Sequence, residues 1–267
     1  MVVRAVEAAS VAVIGLYVAI RFRRGRRAGL ALLKDLAWIA PAAFLAEDSS
    51  IRLYGFYEYA QAWDLFVDRV PLFVVLIWPF VIVSARDLWA SVAPLAPRWQ
   101  AAWIVWTDAS LIECVSTTAG LWRWTEPGPF QVPLIGPWGW ACFAAAVLFA
   151  MDRLRGLRAV LAALALTHAL LLASWWGLFR WVGAPVSDRE FTAIAWLIGI
   201  VLAVQVHRSR VRAPRDEILA RFAAALVFFG LVFLHRDRAA LVALAGAFLP
   251  PWLTFTAKAR PRRAAAG

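Results

Sequence analysis

The sequence predicts an all-α, polytopic membrane bundle of about eight (7–9) transmembrane helices. Three observations carry that prediction. The 267 residues are 63% hydrophobic and only 17% charged, with a mean hydropathy of +0.69, whereas a soluble domain is roughly half apolar and a quarter charged. The apolar residues fall into runs long enough to cross a bilayer. The basic residues sit in short clusters between those runs, so the net charge of +11 reads as topology and not as a nucleic-acid-binding face.

In chain order the expected spans are residues 5–20, 28–46, 70–88 with Pro79 as a kink, 101–120, 137–151, 159–181, 191–206, 222–234 and 239–257. The last two are closely joined and are compatible with one re-entrant hairpin. Spans alternating from an outer N-terminus place nineteen Lys and Arg on the cytoplasmic side and eight on the outer side. The clusters at 21–27, 153–158, 208–221 and 258–263 carry the bias, and with nine spans the C-terminus is cytoplasmic. Residues 47–64 and 121–136 then fall on the same outer side. One integral membrane domain over residues 1–267 is the economical reading, in the cell (inner) membrane. No cleavable signal is expected, because Glu7 interrupts the first apolar run and the Arg cluster follows it. Cys114 and Cys142 fall inside spans and imply no disulfide framework.

The chemistry concentrates in residues 107–140. A charge near the centre of a span costs about 2.5–3.5 kcal/mol on insertion scales, and one span carries both Asp108 and Glu113. At 100° per residue Thr107, Ser110, Glu113 and Thr117 share a sector about 120° wide. Asp108 lies about 140° from Glu113, so the two border a common cavity only between neighbouring helices. A buried carboxyl held in its protonated form is a general acid; the plainer alternative is a polar seam that glues helices together. Glu47 and Asp48 close the second span at the outer face, an ordinary place for acidic residues. Tyr54, Phe56, Tyr57, Tyr59, Trp63, Trp122, Trp124 and Trp138 gather at the same face, either as an aromatic belt or as a lining for an apolar or cationic ligand. Lys34 and Asp35 are expected to pair with other helices or snorkel, and His168 to fill a hydrogen-bonding role. Three scattered His without a Cys cluster give no metal-ligand pattern. No phosphate loop, dinucleotide fingerprint or serine elbow occurs.

Three pieces of sequence carry a likeness. Tyr54-Gly55-Phe56-Tyr57-Glu58-Tyr59 is similar to an F-G-x-Y-x-Y pattern preceded by an acidic residue, the place Glu47 would take. Val70-Pro71-Leu72 with Trp78 is similar to V-P-L-x-x-P-L-x-W, with Val75 in place of the second Pro. Glu113, Gly120, Trp122, Trp124, Val132-Pro133-Leu134 and Gly139-Trp140 follow the order acidic residue, Gly-x-Trp-x-Trp, V-P-L, Gly-Trp. In these residues, within 44–145, the chain resembles the integral-membrane carotenoid biosynthesis proteins of the carotenoid 1,2-hydratase type, which include the γ-carotene and bisanhydrobacterioruberin hydratases. It departs from their pattern in its acidic pair, Asp108 one place late and Glu113, and in Ile135-Gly136 after V-P-L.

The resemblance implies hydration of the terminal double bond of an acyclic carotenoid end group. A proton is delivered to one alkene carbon, a tertiary carbocation forms, and water captures it. Glu113, Asp108 and Glu47 would be the catalytic carboxyls, Glu113 first among them. Tyr54, Tyr57, Tyr59, Trp78, Trp122 and Trp124 would line the substrate. No cofactor or metal is implied. The partners would be the lipid bilayer and a membrane-embedded hydrophobic polyene, with room for association with other carotenoid-pathway enzymes and no nucleic acid. End-group cyclisation would use the same acid while excluding water. A transporter or scaffold would use Asp108 and Glu113 as ion sites, although the paired repeats common among transporters are absent from the sequence. Residues 159–267 read as a helical frame.

Overall fold

Where each helix stops decides where its carboxylate sits. The computed structural model describes residues 2–181, 186–208 and 213–258. Arg210, Arg212, Arg260, Arg262 and Arg263 of the basic clusters lie outside the described residues. Helix α1 (Val2–Arg23) and helix α2 (Arg26–Tyr54) are separated by a short turn at Gly25, whose φ of 130° suits only glycine. The second helix therefore runs well past residue 46. It ends where Gly55 takes the left-handed conformation (φ 60°) and donates its N–H to the Ile51 carbonyl, a glycine C-cap with Arg52 in the last turn. Glu47 consequently lies inside the helix, about two turns from its end, and does not close it.

Three short strands follow, β1 (Tyr57–Tyr59), β2 (Phe66–Val67) and β3 (Val70–Pro71), then helix α3 (Leu72–Val92), which continues through Pro79. Helix α4 (Ala102–Thr118) is packed among its neighbours and ends at Gly120, again left-handed with φ 71°. Strand β4 (Trp122–Trp124) follows directly. The remaining elements are α5 (Ile135–Arg153), α6 (Leu157–Ser174) with a π-turn over Trp175–Phe179, α7 (Asp188–Arg208), α8 (Arg215–Leu234), α9 (Ala239–Ala247) and α10 (Leu249–Ala257). Among the described residues, eight helical segments are long and apolar enough to cross a membrane, with α9 and α10 counted as one. The 17-residue α4 falls just short of that length and is flanked by α3, α5 and α8.

The expected loops 47–64 and 121–136 are partly regular. Strands β1 and β4 pair antiparallel in the register Tyr57↔Trp124, Glu58↔Arg123, Tyr59↔Trp122. This pairing places both segments at one end of the bundle, as the alternation of spans predicts. Because side chains alternate along a strand, Tyr57, Tyr59, Trp122 and Trp124 turn inward while Glu58 and Arg123 form an ion pair on the outside.

Polar contacts tie the opposite end together. Asp35 accepts from Arg86 at 2.9 Å, Asp87 accepts from Arg21 and Tyr17, and Arg24 bridges Asp216 and Glu217 of α8 at 2.5 Å each. Arg86, expected near a loop, is instead a helix-to-helix tie within α3. The expected pairing of Asp35 with another helix is what the structure contains. On the far side, a Cβ on Gly199 of α7 would lie 2.2 Å from the Ala247 carbonyl oxygen, so glycine is what lets α7 seat against α9.

Candidate functional site

A cavity of about 210 Å3 lies beneath the β1–β4 pair, walled by α1 to α6, α8 and α10. Two carboxylates face it near the strand end, each gripped by three donors. Glu47 accepts the Tyr57 hydroxyl and, at 3.0 Å, the Tyr59 hydroxyl on Oε2, while Oε1 accepts the Trp78 indole N–H at 2.8 Å. Glu113 accepts Trp122 and Trp124 on Oε2, both at 2.8 Å, and Trp140 on Oε1 at 2.7 Å. Each carboxylate is thus clamped by the strand that continues from its own helix, α2 into β1 and α4 into β4. One donor from α3 or α5 completes each clamp.

The two clamps differ chemically. An indole N–H only donates, whereas a phenol donates or accepts. Glu113 meets three obligate donors, which the carboxylate form satisfies best, and only 2% of the residue is accessible. Glu47 meets two phenols. Although enclosed by protein, it keeps accessible surface, which faces the cavity. Burial first, and then the charge of the adjacent Glu47, push the Tyr57 and Tyr59 phenols well above their ordinary value of 10.0. They therefore remain protonated donors across the physiological range.

Asp108 sits deeper, five residues and about 7.5 Å of helix rise from Glu113. Ile112 and Ser116 occupy the arc between them on the cavity face of α4. Of the expected polar stripe, Glu113 faces the cavity and Thr107, Ser110 and Thr117 do not. Thr107 and Ser110 donate back to the carbonyls of Trp103 and Trp106 at 2.9 and 2.8 Å, as hydroxyls in apolar surroundings commonly do. Asp108 forms an ion pair with Arg221 of α8, whose other terminal nitrogen donates to Ser84 of α3 at 2.7 Å.

Glu113, Asp108, Glu47, Tyr57, Tyr59, Trp78, Trp122 and Trp124 all border this one cavity. Tyr54 does not. Its hydroxyl pairs with His168 Nδ1 at 2.8 Å while His168 Nε2 meets Ser49 at 2.9 Å, a tie between α2 and α6, and Phe56 takes the cavity position. Trp138 also turns away, donating to Ser174 at 2.9 Å. Asp48 pairs with Arg52 at 2.7 Å.

Several site residues lie outside the expected set. Trp140 is the third donor to Glu113. Arg221, Phe228, Phe248 and Trp252 form a wall from residues expected to be only a frame. Arg221, counted among the cytoplasmic loop residues, is in fact 6% accessible within α8. The helix start was signalled by Pro214 followed by Asp216 and Glu217 in the first turn, which places Arg221 about two turns inside.

Gly136 also bears on the site. A Cβ there would approach the Trp124 ring to 2.8 Å. Gly136→Ala is expected to push Trp124 off Glu113 while the bundle stays folded, and the donor left unmet should cost about 1–3 kcal/mol of stability. Thermal unfolding in detergent checks this; an unchanged midpoint would show that the ring has room to yield.

No family model, curated protein or solved structure matches the chain.

Proposed function

We propose that the protein is a membrane enzyme of carotenoid biosynthesis that adds water to the terminal double bond of an acyclic carotenoid end group. The observation that carries this reading is the pair of triply clamped carboxylates, Glu47 and Glu113, at one aromatic-lined cavity within a helical bundle. Alkene hydration needs a proton donor that touches carbon and a fixed negative charge near the cation that forms, in surroundings that exclude bulk water.

The donor chemistry divides those roles. Glu47 has accessible surface and phenolic partners that tolerate either protonation state, so it delivers the proton. Glu113, held by indoles, supplies the standing negative charge. The faces of Trp78, Trp122, Trp124 and Tyr57 add their ring quadrupoles around the cation. The volume supports an end group as the ligand. An apolar cavity of about 150 Å3 takes one benzene, so about 210 Å3 admits an isoprenoid end and not a whole carotenoid. The remainder of the polyene would run between helices into the bilayer.

Expression in a bacterium that accumulates lycopene or γ-carotene tests the reading. A pigment heavier by one water is expected. An isomer of unchanged mass would reassign the acid to cyclisation, and unchanged pigment across several acyclic carotenoids would reject the reading.

A further inference from the structure

Away from the two clamped glutamates, the cavity has a second polar centre that proton delivery does not use. Asp108 Oδ2 is bound by Arg221, and Arg221 is fixed in turn by Ser84 and by the Trp252 ring, whose centroid is 5.6 Å from the guanidinium carbon. Buried ion pairs are expensive to assemble and are often matched in stability by apolar residues of similar volume, so stability alone does not account for this one. Its geometry is asymmetric. The guanidinium is almost wholly enclosed. Asp108 is surrounded by protein yet keeps 21% of its side-chain surface accessible while lining the cavity. Its second oxygen, Oδ1, engages no donor among the described residues and is not enclosed. The cavity therefore offers one open carboxylate oxygen whose charge is balanced, so that the floor as a whole adds no net charge beneath a forming cation.

We infer that Asp108 holds and deprotonates the attacking water, and that Arg221 is the positioning residue that aims it. The inference rests on the hydration reading above. The alkene takes a proton from the Glu47 carboxyl, forming a C–H bond and a tertiary cation. The water held at Asp108 Oδ1 donates its lone pair to that carbon, forming the C–O bond. The resulting oxonium loses one proton to Asp108. One proton is consumed and one released, and the sum is addition of one water with no redox partner. Arg221 keeps Asp108 ionised and turned toward the cavity. Ser84 and Trp252 keep Arg221 from following the ligand.

The test separates proton delivery from water capture. Membranes containing the full chain are supplied with lycopene in D2O, and the pigments are analysed by mass. The wild type is expected to yield hydrated pigment carrying carbon-bound deuterium. Asp108→Asn and the paired replacement Asp108→Leu with Arg221→Met are expected to reduce hydrated pigment at least about a hundredfold, the low end of general-base contributions. They should still place deuterium on unhydrated carotene, because a cation without a nucleophile returns to alkene by losing a neighbouring proton. The paired replacement removes the ion pair without stranding either charge, which protects folding. Hydration at the wild-type rate in both variants would overturn the inference, as would joint loss of deuterium and hydration in variants that remain folded by thermal unfolding. A wild type that neither deuterates nor hydrates lycopene or γ-carotene would instead overturn the hydration reading, and this inference with it.

Discussion

Glu47→Gln is expected to abolish hydration, with a loss of about 10²–10⁴-fold, the range attributed to a positioned general acid, while the protein remains inserted and folded. The amide carbonyl takes the Trp78 indole N–H, and the Tyr57 and Tyr59 hydroxyls rotate to accept from the new NH2 group in place of donating to Oε2. The clamp therefore survives and the proton does not. Pigment analysis in membranes normalised for protein amount is the measurement. A folded Glu47→Gln protein with full activity would remove the acid assignment.

Glu113→Gln is expected to behave differently, because its partners are three indoles. The amide oxygen serves two of them, and the NH2 group opposes the third N–H, which has no alternative partner. A buried donor left unmet costs about 1–3 kcal/mol, so thermal unfolding in detergent should shift downward. Turnover should also fall about 10²–10³-fold, as when a fixed group that stabilises developing charge is removed. The contrast is the informative part: lost activity at native stability for Glu47, lost activity with lost stability for Glu113. Equal stability in both variants would mean that the indole clamp contributes little to the fold.

Much of this was legible in the sequence, and what was not has physical causes. Hydrophobic runs gave the number and order of the helices, and most of their ends within a few residues, since burial in lipid leaves so little choice of composition. Glu113, Trp122 and Trp124 stood out because charge and aromatic spacing are both rare in such runs. The segments expected as loops contain strands, and the period-2 patterns Tyr57-Glu58-Tyr59 and Trp122-Arg123-Trp124 are strand alternation in its shortest form. Helix ends caused the remaining errors. Hydropathy falls at Glu47 and before Phe222, but the backbone continues to Gly55 in one case and starts at Arg215 in the other. Caps, not hydropathy, mark where a helix stops. The Arg221–Asp108 pair joins residues 113 positions apart, and no local pattern encodes that distance.

The β1–β4 ladder has a mechanical consequence. Each carboxylate is gripped by two donors from a strand that hangs from its own helix and by one from α3 or α5, and the ladder rungs join the two halves. A one-residue slip between the strands would change which partners face one another, and realigning the side chains would turn Tyr57 and Tyr59 away from Glu47. The three-rung ladder therefore acts as a ruler, setting the spacing between Glu47 and Glu113 at the rim of the bundle. Apolar residues in the helices below can vary without moving that spacing, whereas the handful of residues that set the register cannot.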